Sequence, residues 1–398
     1  MEKQKTKNSI LCISFWTPPI VRPQSILIGK MIPEWMRQGV DPVILTYDIC
    51  GKWNIPLPLY TVPDHKTKSR LMKLPVLRWV DEYFYYQKLF KISRDVIKRH
   101  NIQSVFSFSK PQSSNILGAM IKKNLGITFT AYFSDPWYDT PYQPIRKISS
   151  FKTYLMERFV MKWANKIIFT NEAARSLVMK KYPAAWQGKS TVIPHCFDPN
   201  EYAGFSKKTD GKFVISHIGA FYKERNPEPL FKALAEVKKI RPDIFQKIEL
   251  RLVGAENPYA GYSKEKLLNL IKGYNLGKSV NILPSVEYKK SLEYMTNSDC
   301  LIVIDANFKN SPFLPSKLID YAGSKTQIIS ITPNGSPTEE VVRGLGFKSF
   351  SYDEITELAE CIIKIVASPN RNTPNPEYLK QFEVKETTKK LLNEIQNI

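Results

Sequence analysis

Residues 315–331 read PSKLIDYAGSKTQIISI, and this stretch predicts a loop, a short helix and a buried strand. Ser316 is a favourable N-cap, because its hydroxyl can accept from one of the helix's first unpaired N–H groups. Gly323 suits the end of the helix, and Gln327–Ile331 suits a central strand. The apolar side of the helix consists of Leu318, Ile319, Tyr321 and Ala322. The segment therefore predicts a helix packed on a sheet, as in an α/β fold.

Lys317 and Asp320 are the polar residues near the start of this helix. Side chains on a helix lean toward its N-terminus, so Asp320 can reach a ligand there. A carboxylate can accept two hydrogen bonds from a vicinal diol such as a ribose, while Lys317 and the free N–H groups suit a diphosphate. One helix end could thus bind both halves of a nucleoside diphosphate. The alternative is that both residues are solvated on an ordinary surface helix.

A second phosphate-binding element is predicted at residues 216–230, SHIGAFYKERNPEPL. A strand ends at Gly219, which lets a ligand approach the backbone closely. Asn226–Pro227 then suits the start of a helix. Arg225 stands at that helix start, with Tyr222 and Lys223 nearby, and cations are unfavourable at this end of a helix unless an anion joins them. The alternative is a plain strand–loop–helix turn.

Outward from these segments, apolar strand runs alternate with helical patterns, which is typical of parallel sheets covered by helices. Strands are predicted at Ile10–Ser14, Pro42–Tyr47, Ser104–Phe108, Thr128–Phe133, Lys166–Thr170 and Thr191–Pro194, then at Phe213–Ile218, Ile248–Val253, Val280–Leu283, Cys300–Ile304 and Gln327–Ile331. Residues 205–212, FSKKTDGK, lack apolar periodicity and mark a domain boundary. We therefore expect two Rossmann-like, doubly wound domains, at residues 1–205 and 206–376, with a cleft at the carboxyl ends of their strands. A helix at residues 377–398 completes the chain.

The composition is that of an ordinary globular protein, with 43% hydrophobic and 24% charged residues among 398. We find no apolar run long enough for a transmembrane helix, and the N-terminus lacks the pattern of a secretory signal. The five scattered cysteines have no metal-binding or redox spacing, so neither a metal nor a cofactor is expected. These features indicate a cytoplasmic protein.

The positive charge is unevenly distributed along the chain. Residues 1–205 carry 30 Lys and Arg against 14 Asp and Glu, a net charge of +16 out of the total of +21. Within them, Lys66–Arg99 interleaves basic residues with Leu, Trp, Tyr and Phe, as interfacial membrane segments do. We expect attachment to the anionic inner membrane surface; the alternative is a solvated helix packed by its aromatic face. Nucleic-acid binding rests on charge alone, because no recognised motif for it is present.

Residues 132–142, YFSDPWYDTPY, follow a predicted strand in the first domain. Asp135 could orient or deprotonate a hydroxyl group of a ligand, while Trp137 and Tyr138 could stack on a flat face of that ligand. The alternative is that Asp135 caps the turn before Pro136, which is common for Asp-Pro. His195 and His217 lie next to strand ends and are predicted to be packed histidines.

The chain resembles glycosyltransferase family 4, retaining nucleotide-sugar transferases with the GT-B fold that act in bacterial polysaccharide assembly. The resemblance covers nearly the whole chain and rests on the two segments above, on ERFVMKWANKIIFTNEAA and on VIPHCFDP. It implies donor binding by the C-terminal domain, acceptor binding by the N-terminal domain, no metal, and a final helix that returns to the N-terminal domain.

Carried over by residue, Asp320 falls on the family's ribose-binding glutamate and Arg225 on its phosphate-binding lysine. Two positions depart from the family pattern. Pro312 replaces the first glutamate of the pair, and Ala220 replaces an arginine of the phosphate loop. Because a lost cation weakens stabilisation of the leaving group, we expect Lys223, Lys317 or Arg22 to replace it.

The chain is therefore expected to transfer a sugar from a nucleoside diphosphate sugar to a saccharide or lipid-linked acceptor in cell-surface polysaccharide synthesis. The alternatives are a non-catalytic GT-B scaffold or saccharide-binding subunit, and a nucleotide-sugar epimerase. The expected catalytic residues are Arg225, Lys317 and Asp135; the donor-binding residues are Gly219, Tyr222, Lys223, Ser316, Leu318 and Asp320; the acceptor-binding residues are Arg22, Trp137 and Tyr138.

Overall fold

A computed structural model of the chain describes residues 8–64, 75–138, 140–141, 148–206, 211–369 and 372–396. The chain forms two compact units. Unit 1 comprises Met1–His195 and Val384–Ile398, and unit 2 comprises Cys196–Glu383. Of the predicted basic segment, Lys66, Lys68, Arg70 and Lys73 lie outside the described residues.

Unit 1 is built on a parallel seven-stranded sheet in the order β3-β2-β1-β4-β5-β6-β7. Its strands are β1 Asn8–Ile13, β2 Val40–Tyr47, β3 Leu59–Val62, β4 Ser104–Phe108, β5 Thr128–Phe133, β6 Lys166–Phe169 and β7 Ser190–Val192. Its helices are α1 Pro23–Arg37, α2 Pro75–His100, α3 Ser113–Leu125, α4 Ile148–Trp163, α5 Glu172–Met179 and α6 Ala184–Gln187. One buried cluster of this unit includes Leu11, Phe129 and Ile167, and Trp35 packs against Phe106 with their ring centres 5.2 Å apart.

Unit 2 is built on a parallel six-stranded sheet in the order β10-β9-β8-β11-β12-β13. Its strands are β8 Phe213–Ile218, β9 Ile248–Val253, β10 Val280–Leu283, β11 Cys300–Ile304, β12 Gln327–Ile331 and β13 Lys348–Phe350. Its helices are α7 Glu228–Ile240, α8 Pro242–Phe245, α9 Lys264–Gly273, α10 Tyr288–Thr296, α11 Ser316–Gly323, α12 Pro337–Gly344, α13 Ile355–Ala367 and α14 Pro376–Lys380. Two buried clusters fill this unit, one around Phe231 and Leu250 and one around Leu301 and Tyr321.

Each sheet reverses its strand order at a central strand. In unit 2 the chain builds outward from β8 to β9 and β10, then crosses to β11 on the other side of β8. Parallel sheets bind ligands outside the carboxyl ends of their strands at such a switch point. The loops after β8 and β11, which start at Gly219 and Asp305, are therefore the expected binding edge.

The chain passes from unit 1 to unit 2 after His195 and returns to unit 1 after Glu383, and neither point is a predicted boundary. Residues 196–205 belong to unit 2, because Phe197 pairs with Glu383 and its N–H donates to Phe382 O at 2.9 Å. The final helix, α15 Val384–Gln396, belongs to unit 1, where Gln38 Nε2 donates to Lys385 O at 3.1 Å. Glu394 on this helix also forms an ion pair at 2.8 Å with Lys166, the first residue of β6. The predicted boundaries at residues 205 and 376 therefore lie inside unit 2.

The ends of α11 also differ from the prediction. Pro315 is the N-cap without a side-chain hydrogen bond, and Ser316 is already inside the helix. Gly323 is the last helical residue, and a Cβ there would lie 2.7 Å from both the Phe197 ring and Tyr202 Oη. Gly323 is thus required by close packing and not by the turn that ends the helix.

No helix in the described ranges combines the length and the apolar character that a bilayer crossing requires.

Candidate functional site

Lys317 lies directly over the end of β8. Gly219 has a φ of +122°, and a Cβ on it would come within 3.2 Å of Lys317 Nζ. The amine donates to Ile218 O at 3.2 Å. The predicted proximity of the 216–230 and 315–331 segments is therefore present in the structure, and glycine is the residue that permits it.

The second contact of the Lys317 amine is His217 Nε2, at 3.2 Å. His217 Nδ1 lies 2.9 Å from Ile302 O, and a carbonyl oxygen only accepts, so Nδ1 carries the proton and Nε2 is an acceptor. Burial and the adjacent Lys317 hold the pKa of His217 well below its usual range. The imidazole therefore stays neutral and orients the amine, and its ring stacks on Phe221 as a packed histidine.

The surroundings of the Lys317 amine disfavour its protonated, charged form. Burial, followed by the nearby Arg225 guanidinium, lowers the pKa of Lys317 well below its usual value, while Asp305 partly opposes the shift. A bound anion would offset both costs, because it would return the interactions that the amine loses on leaving water.

Arg225 is the second cation at this edge. Its Nη2 lies 3.6 Å from Asp305 Oδ1, and its guanidinium lies 4.9 Å from the centre of the Tyr222 ring. Its Nε is buried and has no hydrogen-bond partner among the residues that the structure describes. The helix that follows begins at Glu228 and its N-cap is Pro227, one residue later than the predicted Asn226, whose Oδ1 accepts from Glu228 N at 3.1 Å.

Asp305 is the functional residue that sequence analysis missed. It follows β11 directly and is fully buried. Oδ1 accepts from Ala306 N and Oδ2 from Thr338 Oγ1, both at 2.7 Å. Burial raises the pKa of Asp305, and Arg225 is the largest influence that opposes the rise. The feature of the sequence that could have identified Asp305 is its place as a single acidic residue immediately after an apolar strand. Two cations and one carboxylate meet here, an arrangement suited to an anion of more than one charge.

Asp320 lies three residues beyond Lys317 and is 6% exposed. Its Oδ1 accepts from Tyr288 Oη at 3.1 Å, and its backbone O accepts from Tyr202 Oη at 2.7 Å. Leu318, by contrast, lies in the core and its N–H bonds to Pro315 O, so it offers no polar group to a ligand. Lys223 is exposed on its loop, and Ser316 is partly buried.

In unit 1, the predicted acceptor residues do not form one connected group. Asp135 Oδ2 accepts from Lys110 Nζ at 2.8 Å. Tyr138 N–H donates to Glu157 at 2.8 Å, and Trp137 packs against the core. Arg22 precedes α1 and its guanidinium lies 4.0 Å from the centre of the Trp16 ring.

His195 is the other histidine of interest in unit 1. It is 7% exposed, and its buried Nδ1 has no hydrogen-bond partner in the described part of the chain. Burial lowers the pKa of His195 to about 4, with Asp135 opposing the shift. A histidine that stays neutral in this way fits the predicted packed residue.

The chain is similar to known proteins both in sequence and in structure. Residues 200–382 match the model of the family described as Glycosyl transferases group 1. No curated protein sequence matches the chain. Among solved structures, sucrose-phosphate synthase (tll1590) from Thermosynechococcus elongatus is similar at a TM-score of 0.71 with 14% identity, covering 98% of this chain and 99% of that one.

Two further structures are similar over the same length. Anabaena Alr3699/HepE in complex with UDP-glucose has a TM-score of 0.66 with 14% identity, covering 98% of this chain and 100% of that one. The α,α-trehalose-phosphate synthase (UDP-forming) from Burkholderia vietnamiensis has a TM-score of 0.69 with 10% identity, covering 98% and 99%. At these identities the likeness establishes the predicted GT-B fold of two α/β units.

Proposed function

We propose that this chain is a glycosyltransferase whose sugar donor is a nucleoside diphosphate sugar bound by unit 2, with UDP as the nucleotide. The observation that carries the proposal is the meeting of Lys317, Arg225 and the open backbone of Gly219 at the ends of β8 and β11. UDP is favoured because similar structures include a UDP-glucose complex and a UDP-forming synthase.

In the proposed reaction, the bond between the anomeric carbon and the β-phosphate oxygen breaks, and negative charge builds up on the departing diphosphate. Lys317 and Arg225 stabilise that charge, and Asp320 accepts hydrogen bonds from the ribose hydroxyls. The acceptor hydroxyl oxygen forms the new glycosidic bond to the anomeric carbon, and its proton passes to the β-phosphate oxygen of the departing diphosphate. Tyr222, Lys223 and Ser316 complete the proposed donor site. Retention of configuration is implied by the family resemblance alone.

The donor proposal predicts a selective thermal shift. UDP at about a hundred times its dissociation constant stabilises the folded state by about 2.7 kcal/mol, so the melting temperature of the wild type should rise by several degrees. GDP, ADP and CMP should give smaller shifts, and Asp320→Ala should lose most of the UDP effect. Exposed Arg241, paired with Asp243, provides the control variant Arg241→Ala. If no nucleotide in the panel shifts the wild type, the donor proposal is wrong.

We place the acceptor in unit 1 and propose a saccharide or lipid-linked saccharide, as in cell-surface polysaccharide synthesis. Asp135 would orient the acceptor hydroxyl, while Trp137 and Tyr138 would stack on a sugar face. The exposed Arg22 guanidinium, fixed over Trp16, would contact a charged group of the acceptor.

A face of unit 1 supports an acceptor held at a membrane. We call it the α2–α4 apolar face, and its exposed members are Leu77, Trp79, Val80, Tyr83, Phe84, Phe151 and Leu155. Phe84 is 65% exposed and Phe151 is 63% exposed. The two helices adjoin, because Lys152 on α4 pairs with Glu82 on α2 and its amine lies 5.6 Å from the Trp79 ring centre.

The occupant that we propose for this face is an anionic bilayer surface at the cytoplasmic side. Aromatic and aliphatic side chains would enter the headgroup region, and the net charge of +16 of residues 1–205 would attract anionic lipid. The chain would then be a peripheral membrane protein of the cytoplasm.

Vesicle binding tests this membrane contact. The double variant Phe84→Ser/Phe151→Ser should bind phosphatidylglycerol-containing vesicles at least about tenfold more weakly than the wild type, because each lost ring removes roughly 1.5–3 kcal/mol of burial. Tyr259→Ser, which removes a fully exposed aromatic residue of unit 2, is the matched control and should bind as the wild type does. Unchanged binding by the double variant, or equal binding to neutral vesicles, would count against the proposal.

A further inference from the structure

Tyr288 places one hydroxyl between two carboxylates of unit 2. Its Oη lies 3.1 Å from Asp320 Oδ1 and 3.1 Å from Glu201 Oε2. Tyr288 is the first residue of α10, and Glu201 lies on a short 3-10 helix, Pro199–Tyr202. Three separate segments of the chain therefore meet at this phenol.

The phenol can only act as a donor here. Burial, followed by the negative charge of Asp320, raises the pKa of Tyr288 well above its usual value, so its proton is kept over the whole working range of pH. A carboxylate accepts and a phenol donates, so Tyr288 restrains the Asp320 carboxylate in one orientation. Because the hydrogen bond has a charged acceptor, it belongs to the stronger class.

The backbone of Asp320 also accepts a hydrogen bond, through its carbonyl oxygen. Tyr202 Oη donates to Asp320 O at 2.7 Å, and Tyr202 and Phe197 pack against Gly323 at the end of α11. The segment that follows unit 1 in sequence thus fixes the helix, and Tyr288 fixes the carboxylate that the helix carries.

We infer that Tyr288 is a positioning residue for ribose recognition, and that through Asp320 it sets the preference for ribonucleotides over 2′-deoxyribonucleotides. The inference rests on the proposed function, in which Asp320 accepts hydrogen bonds from the ribose. A carboxylate held in one orientation accepts from a diol without first losing its own freedom, so the gain from each ribose hydroxyl is larger. In this role Tyr288 acts through Asp320 and not on the transferred sugar or the diphosphate.

Calorimetric titration of UDP and 2′-deoxy-UDP tests this role. The wild type should bind UDP at least about tenfold more tightly than 2′-deoxy-UDP, as expected for a lost hydrogen bond to a charged group. In Tyr288→Phe the two affinities should differ by less than about threefold, through weaker binding of UDP, with 2′-deoxy-UDP nearly unaffected. Turnover at saturating donor should stay within about threefold, since the reacting bond is elsewhere.

Tyr294→Phe is the matched control, because Tyr294 lies on the same helix with its ring 5.7 Å from the Lys290 amine. This variant should keep the wild-type preference. Equal weakening of both nucleotides in Tyr288→Phe would show a merely structural role and overturn the inference. A wild type that binds both nucleotides equally would overturn it too, yet leave the UDP donor standing. A wild type that binds neither would overturn the proposed donor as well.

Discussion

Lys317→Met is expected to lower kcat/KM by about 100- to 1,000-fold, the loss typical of removing one preorganised group that stabilises a developing negative charge. Methionine keeps much of the length of the lysine chain and removes only the amine. The amine lies 3.2 Å from Ile218 O and would lie 3.2 Å from a Cβ on Gly219. It is therefore next to Ala220, where the family resemblance implies an arginine, and could replace the missing cation.

Two readouts separate this role from a loss of folding. Lys309→Met, which removes an exposed lysine of the same unit, should retain wild-type turnover. The affinity of the wild type for UDP should also fall as pH rises through the lowered pKa of Lys317. Below that pKa the amine already carries its proton; above it, binding must bring a proton in. The variant should lose this pH dependence. Turnover within a few-fold of wild type would exclude Lys317 as the compensating cation.

The central strands of unit 2 could be predicted from sequence alone. The predicted bounds Phe213–Ile218, Cys300–Ile304 and Gln327–Ile331 are those of β8, β11 and β12. Strands buried on both faces read as nearly continuous apolar runs, so the signal is strong and local. The edge strands β3 and β13 were missed because they have only four and three residues, too few for a periodic pattern to be recognised.

The candidate site could be predicted only where its residues lie in local motifs. Lys317 and Arg225 each stand beside a recognisable strand–loop–helix pattern. Asp305 and Tyr288 do not: each acquires its role from partners far away in sequence, Arg225 for the first and Asp320 for the second. For Leu318, the position in the motif predicted a contact with the donor, whereas its side chain lies in the core.

The start of helix α2 was also difficult to predict from the sequence. Helix α2 begins at Pro75, whereas the helical pattern in the sequence is clear only from Phe90. Among the described side chains of its first half, Trp79, Tyr83 and Phe84 are exposed while Tyr85 and Tyr86 pack against the core, so no continuous buried stripe marks a packed helix. The absence of that stripe in the sequence is the same property that makes this half a candidate for membrane contact.

Arg225→Gln should affect both turnover and stability. Loss of the guanidinium from the diphosphate site is expected to lower kcat/KM by about 100- to 1,000-fold. It also leaves Asp305 fully buried without its cation, which is expected to cost about 3 kcal/mol of unfolding free energy. Burial already raises the pKa of Asp305, and removing Arg225 raises it further. The destabilisation should therefore be largest above that pKa and should diminish as pH falls toward the unfolded value.

The double variant Arg225→Gln/Asp305→Asn separates the two effects. An amide at residue 305 can still accept from Thr338 Oγ1 and carries no charge, so the melting temperature should recover most of the loss. Turnover should not recover, because the diphosphate still lacks its second cation. Melting curves and kcat/KM for the wild type and the three variants, including Asp305→Asn alone, provide the comparison. If turnover recovered along with stability, Arg225 would act only by neutralising Asp305, and its role on the leaving diphosphate would be ruled out.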